Sequence, residues 1–431
     1  MKDQTKEGQR NFVLRGNIIY SKTPQELSVT EHGYLVCSGG KVKGVYETLP
    51  KEYRTLSLTD YGDAMIIPGL TDLHLHAPQY SYRGTGMDLT LLDWLNTYTF
   101  PEEERYQDEA YARLQYARFA EDLKMSPTCR AAIFATIHPQ ASVILMDLLE
   151  KTGLVTFVGK VSMDRNGSKT YTEHSAPEAA ASLLSFLSLV RSRNYQRTFP
   201  ILTPRFTPAC SDDLLMSIGQ VQKQTGIPVQ SHLSENPEEI AWVRELCPTA
   251  SCYGDTYKRA GLFGGTCRTI MAHGVWCPDN EIEMILENGV YLAHCPQSNT
   301  NIASGIAPIR KYLDIGMHVG LGSDVAGGAS LSLFRAITDA IGVSKLYWRL
   351  IDHDERPLTF AEGFYLATRG GGSFFGNVGA FEVGFAFDAL VLSEKSGLYR
   401  QEPLINRLEQ FVYLPEQQQI LAKYVAARRI F

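Results

Sequence analysis

The chain has no uncharged apolar run of about 18 residues, the length a helix needs to cross a bilayer. Its start, Met1 to Arg10, is polar and carries no secretory h-region. Cysteine is scattered: Cys37, Cys129, Cys210, Cys247, Cys252, Cys267, Cys277 and Cys295 include no C-x-x-C pair. In a chain of 431 residues these read as reduced core and loop residues, not as a disulfide framework or zinc ribbon. Neither sign of charge dominates. A net charge of −6 and a pI near 6.0 argue against nucleic acid or an anionic membrane as a main partner. The glycines of Arg369-Gly-Gly-Gly-Ser373 lack a following Gly-Lys-Ser/Thr, so they mark a helix end, not a phosphate loop. These absences leave the expectation of a soluble, cytoplasmic globular chain.

What is present centres on Pro68-Gly-Leu-Thr-Asp-Leu-His74-Leu-His76. The apolar lead-in Ala64–Ile67 and the turn at Pro68-Gly69 predict a buried strand running into two histidines. Alternation along a strand puts His74 and His76 on one face, about 7 Å apart along the backbone. Two imidazoles so placed can close on one metal ion. Alone, the spacing is weak. Its weight depends on ligands arriving from later strands.

Residues 12–20 read as a strand, and Tyr34–Cys37 with Lys41–Glu47 as a hairpin around Ser38-Gly39-Gly40. The long segment Ala77–Arg105 is rich in aromatics, which suit either core packing or a pocket wall. From Glu102 onward helical and strand-like patterns alternate. Helices are expected over Glu102–Lys124, Gln140–Thr152, Pro177–Arg193, Asp212–Thr225, Glu238–Leu246, Asp279–Asn288 and Ile309–Leu313. Strands are expected at Ala131–Thr136, Val155–Lys160, Pro200–Thr203, Pro228–His232, Thr269–His273, Val290–His294 and His318–Asp324. With the His74 strand this makes eight, which implies a (β/α)8 TIM-like barrel. Helices Leu331–Leu350 and Thr359–Phe375 would finish its outer ring. Strands at Phe387–Ser393 and Tyr424–Arg428 could return to the N-terminal strands and form with them a smaller β-sandwich module. The expected division is 1–66 and 377–431 for the module, and 67–376 for the barrel.

Active sites of such barrels lie at the C-terminal ends of the strands. The polar residues found there are His74, His76, Arg205, His232, His273, His294 and Asp324. Any one alone suits a core or loop. Together they suggest three imidazoles and a carboxylate around one ion, with room for a water whose pKa falls toward 7 from about 15.7. Glu235, three residues beyond His232, is placed to move that water's proton, or else opens the next helix as an exposed side chain.

This arrangement resembles the amidohydrolase superfamily over nearly the whole chain. Within it, His74-Leu-His76-Ala-Pro-Gln79 and Pro204-Arg205-Phe206 resemble the guanine deaminases, as do Trp94–Glu102 and Gly159–Asp164. Ser231-His232-Leu-Ser-Glu235-Asn, Ala272-His273-Gly and Leu321-Gly-Ser-Asp324 are shared by many deaminases of the superfamily. The resemblance implies one metal per subunit, zinc with iron as the other candidate, held by His74, His76, His232 and Asp324. It implies hydrolysis of guanine to xanthine and ammonia, with Glu235, His273 and Asp324 catalytic. Gln79, Arg205, Phe206, Trp94, His232 and His273 would contact the base: Arg205 at the 6-oxo group, Gln79 along the purine edge, the aromatics by stacking. It also suggests a homodimer. The alternatives are an aminohydrolase of the same barrel acting on cytosine, a thio-adenosine or a triazine, or a non-catalytic scaffold. The fourth expected strand ends in Arg205, where two-metal relatives carry a lysine, which favours one metal. Lys160, on the third, is a pocket or a structural lysine. The unrelated H-x-E with P-C-x-x-C zinc pattern is missing, since Cys295-Pro-Gln-Ser has the wrong order and no partner cysteine.

Overall fold

A computed structural model describes residues 11–395 and 401–431, so the polar start Met1–Arg10 lies outside the described residues. The strand expected through Ala64–Ile67 is part of a longer one, Ser57–Pro68, and a separate strand, Leu70–His76, carries the histidines. The two belong to different sheets. Gly69 makes the change of direction possible: a β-carbon there would stand 2.3 Å from Cys129 Sγ.

Ser57–Pro68 sits mid-sheet. It pairs in parallel with Phe12–Ser21 and antiparallel with Ala389–Glu394. With Leu27–Ser38, Lys41–Tyr46, Gln418–Val425 and Arg428–Arg429 these make one seven-stranded mixed sheet drawn from both ends of the chain. Its residues bury a core of their own, including Leu14, Leu35, Ile66, Ala389 and Val391. The strand expected at Tyr424–Arg428 is instead a hairpin, because Ala426 and Ala427 adopt positive φ (44° and 60°) and turn the chain back.

Val161–Ser162 pairs in parallel with Thr203–Pro204 as a separate short ladder, and eight further strands form two parallel four-stranded sheets. One runs Leu70–His76, Thr128–Phe134, Val155–Gly159, Thr198–Pro200; the other runs Val229–Leu233, Thr269–His273, Tyr291–His294, His318–Leu321. A parallel bridge at Leu202 and Val229 links them on one side. On the other, His76 N–H donates to Val325 O and Asp324 N–H to His74 O, both at 2.9 Å. Helices separate these strands, as the alternation in the sequence required. Among the described residues no disulfide is present, and no helix is long and apolar enough to cross a membrane.

Two expected helices are broken. Glu102–Lys124 is in fact Phe100–Glu104, a 3-10 turn at Arg105–Gln107, and Glu109–Met125. Asp108 starts the last of these by accepting from Ala110 N–H at 2.8 Å, so the chain re-enters a helix with a new cap. Thr359–Phe375 is helical over Phe360–Tyr365, wider-wound over Leu366–Gly370, and a 3-10 turn at Ser373–Phe375. The glycine run begins at the last residue of the wider-wound turn, and at Gly370 the backbone closes on Val319 O, which a β-carbon would approach to 2.6 Å.

Candidate active site

The residues expected to hold a metal or touch substrate lie at the ends of the parallel strands or just beyond, except Trp94 on the helix Leu91–Trp94, and all but the partly exposed His232 are buried. His74 and His76 close the first strand, where the pairing register shifts between Asp72 and Leu75. Their rings stand 4.9 Å apart, and His232 lies 4.8 Å from His74 and 5.2 Å from His76. Asp324 Oδ1 is 3.2 Å from His74 Nε2 and 3.5 Å from His76 Nε2. Close approach requires Gly322, whose β-carbon would fall 2.8 Å from Cys295 Sγ and 3.0 Å from His74 Cβ.

The electrostatics suit a cation. Burial, reinforced by the neighbouring imidazoles, pulls His76 and His232 well below the usual histidine range, so both are neutral donors. Burial pushes Asp324 up, but His74, His273 and His76 overcome it and hold the carboxylate below its ordinary range. His76 Nε2 and His232 Nε2 are 3.2 Å apart, while His232 Nδ1 is engaged by the Arg205 carbonyl at 2.6 Å. His74 Nε2 is buried, with the Asp324 carboxylate at 3.2 Å as its charged neighbour. Donor nitrogens facing one another beside an ionised carboxylate are what a divalent ion would satisfy, and the residues present therefore fit one. The sets His74, His232, His273 and His74, His76, Asp324 each bring their ligand atoms within 4.8 Å of one another.

Glu235 stands beside this cluster. Its Oε2 is 3.3 Å from His273 Nε2, and its Oε1 accepts from Ser304 Oγ at 3.1 Å. Burial, then the charge of Asp324, pushes its carboxyl well above the usual carboxylate range. It is a buried pocket residue, not an exposed helix opener. Ser234, His273 and Asp324 all adopt positive φ (44°, 74° and 44°). Such backbone is uncommon for residues other than glycine and concentrates at functional sites.

The pocket above the cluster is lined by His76, Gln79, Leu91, Trp94, Leu95, Arg205, Phe206, His232, Glu235, His273, Ile302 and Asp324. Phe206 meets His232 edge-on at 6.4 Å, and Trp94 keeps its ring in the wall by donating Nε1–H to Thr85 O at 3.1 Å. Arg205 and Gln79 are less free than their sequence suggests, because both bond the buried carboxylate of Glu103.

Two strand-end candidates fall outside. His294 is buried, both ring nitrogens lack partners, and it does not line the pocket; burial pulls it down to about 3. Lys160 is ion-paired with Glu173 in the interior and is structural. Four residues with supporting contacts were not singled out from sequence. Asp72 Oδ1 accepts from the backbone N–H groups of His74 (3.2 Å) and Ser323 (3.0 Å), tying two ligand-bearing segments together. Asn299 holds His273, Ser304 holds Glu235, and Glu103 holds Arg205 and Gln79. Asp72 lies within the histidine motif, two residues before His74, and could have been found there. The others are recognisable only through space.

Comparison with known proteins agrees with this geometry. The model of the amidohydrolase family matches residues 65–429. The chain is 35% identical to guanine deaminase of Mus musculus over 97% of its own length and 96% of that protein. It is 30% identical to guanine deaminase of Escherichia coli over 94% of this chain and 92% of the other. A crystal structure of guanine deaminase from C. acetobutylicum with guanine bound in its active site is 40% identical. It superposes with a TM-score of 0.94, covering 98% of this chain and 100% of that one. The fold is therefore of the α/β, TIM-barrel type, and the chain belongs to the amidohydrolase family, in its guanine deaminase branch.

Proposed function

We propose that this protein hydrolyses guanine to xanthine and ammonia. The observation that carries the reading is the adjacency of Glu235, His273 and Asp324 to a pocket edge made by Arg205 and Gln79. One zinc ion per chain, held by His74, His76, His232 and Asp324, would supply Lewis-acid activation of water near neutral pH.

The chain's own groups divide the remaining work. Arg205 donates to the 6-oxo group, and Gln79 meets the adjacent purine edge. Phe206, Trp94 and the apolar wall of Leu91, Leu95 and Ile302 hold the ring plane and exclude water. Glu235 takes the proton of the attacking water and returns it to the ring nitrogen next to carbon 2, so the ring avoids a negative charge. His273, with Nε2 turned to Glu235 and Asp324, steadies charge at the tetrahedral carbon. Asp324, ionised, is suited to accept the second proton and pass it to the departing amino group.

The same reading takes the eight parallel strands as a closed (β/α)8 barrel over 67–376, supported by the links between His74, His76, Asp324 and Val325. Residues 1–66 and 377–431 would form the smaller module, for which the seven-stranded sheet and its separate core are the support. A cytoplasmic homodimer is the corresponding assembly.

The test is ammonia release from guanine, with adenine, cytosine and adenosine in parallel, on metal-analysed protein and on Glu235→Gln. Guanine-selective release with one zinc per chain, lost in the variant while the metal is kept, is the expected result. Turnover of another base alone would overturn it.

A further inference from the structure

We infer that Glu103, which touches no substrate in this reading, is the residue that sets purine selectivity, by locking Arg205 and Gln79 into a hydrogen-bond-donating edge. The inference rests on the proposed guanine reaction and adds to it a positioning residue. Glu103 is wholly buried at the inner end of the helix Phe100–Glu104. Its Oε2 accepts from Arg205 Nη1 at 2.5 Å, and its Oε1 accepts from Arg205 Nη2 at 3.2 Å and from Gln79 Nε2 at 2.8 Å. On its other side, Gln79 Oε1 accepts the backbone N–H of Ala326 at 3.2 Å.

An ionised carboxylate only accepts and a backbone N–H only donates, so the Gln79 amide has one satisfied orientation. Flipped, its oxygen would face a carboxylate and its nitrogen an N–H. The second Nε2–H of Gln79 and the unused N–H groups of Arg205 are what the edge has left to offer. An oxo group and an unprotonated ring nitrogen complement it, whereas a 6-amino group would meet donor with donor. Glu103 also neutralises a buried guanidinium, so an uncharged base can enter without leaving an unpaired charge behind. In Glu103→Gln, the new amide can donate to Gln79, which removes one of the two mismatches of the flipped orientation, leaves only the one at Ala326 N–H, and weakens the lock on the donor edge.

The experiment is calorimetric titration of the metal-containing protein with hypoxanthine and with adenine. These differ at position 6, and neither carries the 2-amino group that the proposed reaction removes. The wild type is expected to prefer hypoxanthine by on the order of 10²-fold or more. Glu103→Gln is expected to shrink that preference about tenfold or more, with Glu103→Asp, which keeps the charge but withdraws it by one carbon, between the two. Guanine turnover is measured separately. A wild type that releases no ammonia but shows this preference, lost in Glu103→Gln, overturns the deaminase reading and supports the role of Glu103. An unchanged preference in Glu103→Gln, or in Glu103→Asp if the first variant fails to fold, overturns the role of Glu103. A wild type without preference overturns it as well.

Discussion

Asn299 Oδ1 lies 2.8 Å from His273 Nδ1, which turns the opposite nitrogen of the ring, Nε2, to within 3.3 Å of Glu235. Asn299 belongs to the short helix Pro296–Asn301, and Ser304, just beyond it, bonds Glu235. One segment thus orients two of the proposed catalytic groups. Asn299→Leu is expected to lower kcat about 10–10²-fold, with little change in KM, because a misplaced proton carrier costs rate more than binding. Steady-state kinetics on folded variant decide it. A raised KM with unchanged kcat would contradict the assignment.

Arg205→Lys keeps the charge but loses the planar fork that engages Glu103 at two points. A lysine cannot serve Glu103 and an oxo group together in the same geometry. The expected outcome is a fall in kcat/KM for guanine of about 10²-fold or more, mostly through KM. Wild-type kinetics in this variant would remove Arg205 from substrate recognition.

Stripping the metal should cost stability as well as activity. His76 Nε2 and His232 Nε2 face each other at 3.2 Å, so without a cation one ring must turn its N–H to the other instead of both offering lone pairs to one ion. A ligand present at about 1,000 times its Kd stabilises by about 4 kcal/mol. Dialysis against a chelator is therefore expected to lower the melting temperature by several degrees, and stoichiometric zinc to restore it together with activity. A melting curve indifferent to chelator would count against the site.

Lys423 gives a pH signature far from the site. It is fully buried and donates to Lys124 O and Ser126 O at 2.9 Å and to Thr128 O at 2.5 Å. Burial pulls it down to about 8 from the ordinary lysine value of 10.5. Between these values the unfolded chain binds the proton more tightly, so stability contributed here rises with pH across that window, by at most about 1.4 kcal/mol per pH unit. Below pH 8 the cost of the buried charge is constant. In urea denaturation at pH 7, 8.5 and 10, the stability of the wild type relative to Lys423→Met should grow with pH. A constant difference would mean that Lys423 does not titrate there.

The eight parallel strands were legible because nearly all begin a new apolar run after a helix, and several end on or lie just before a polar residue aimed at one centre, as at His76, His232, His273 and Asp324. The metal-cluster residues were legible for the same reason. Ser57–Pro68 was not, since its first half, Ser57-Leu-Thr-Asp-Tyr-Gly-Asp63, reads as loop and becomes strand only against Phe12–Ser21 and Ala389–Glu394. Glu103 was hidden differently. It is the middle one of three consecutive glutamates, and nothing local separates it from Glu102 and Glu104. Its importance arises from Arg205, roughly a hundred residues later. The helix break at Asp108 was masked by a charge pattern that continues through it.

The central strand of the mixed sheet has a consequence for biosynthesis. Ile67 finds its partner Leu390 roughly 320 residues later in the chain. At about 5–20 residues per second, a ribosome exposes the apolar edge of Ser57–Pro68 for roughly 15–65 s before that partner exists. The stretch that leads directly into His74 must therefore wait, half-paired, for the last tenth of the protein to be made. Crowded translation, not the finished fold, is where this chain is most open to mispairing with a copy of itself.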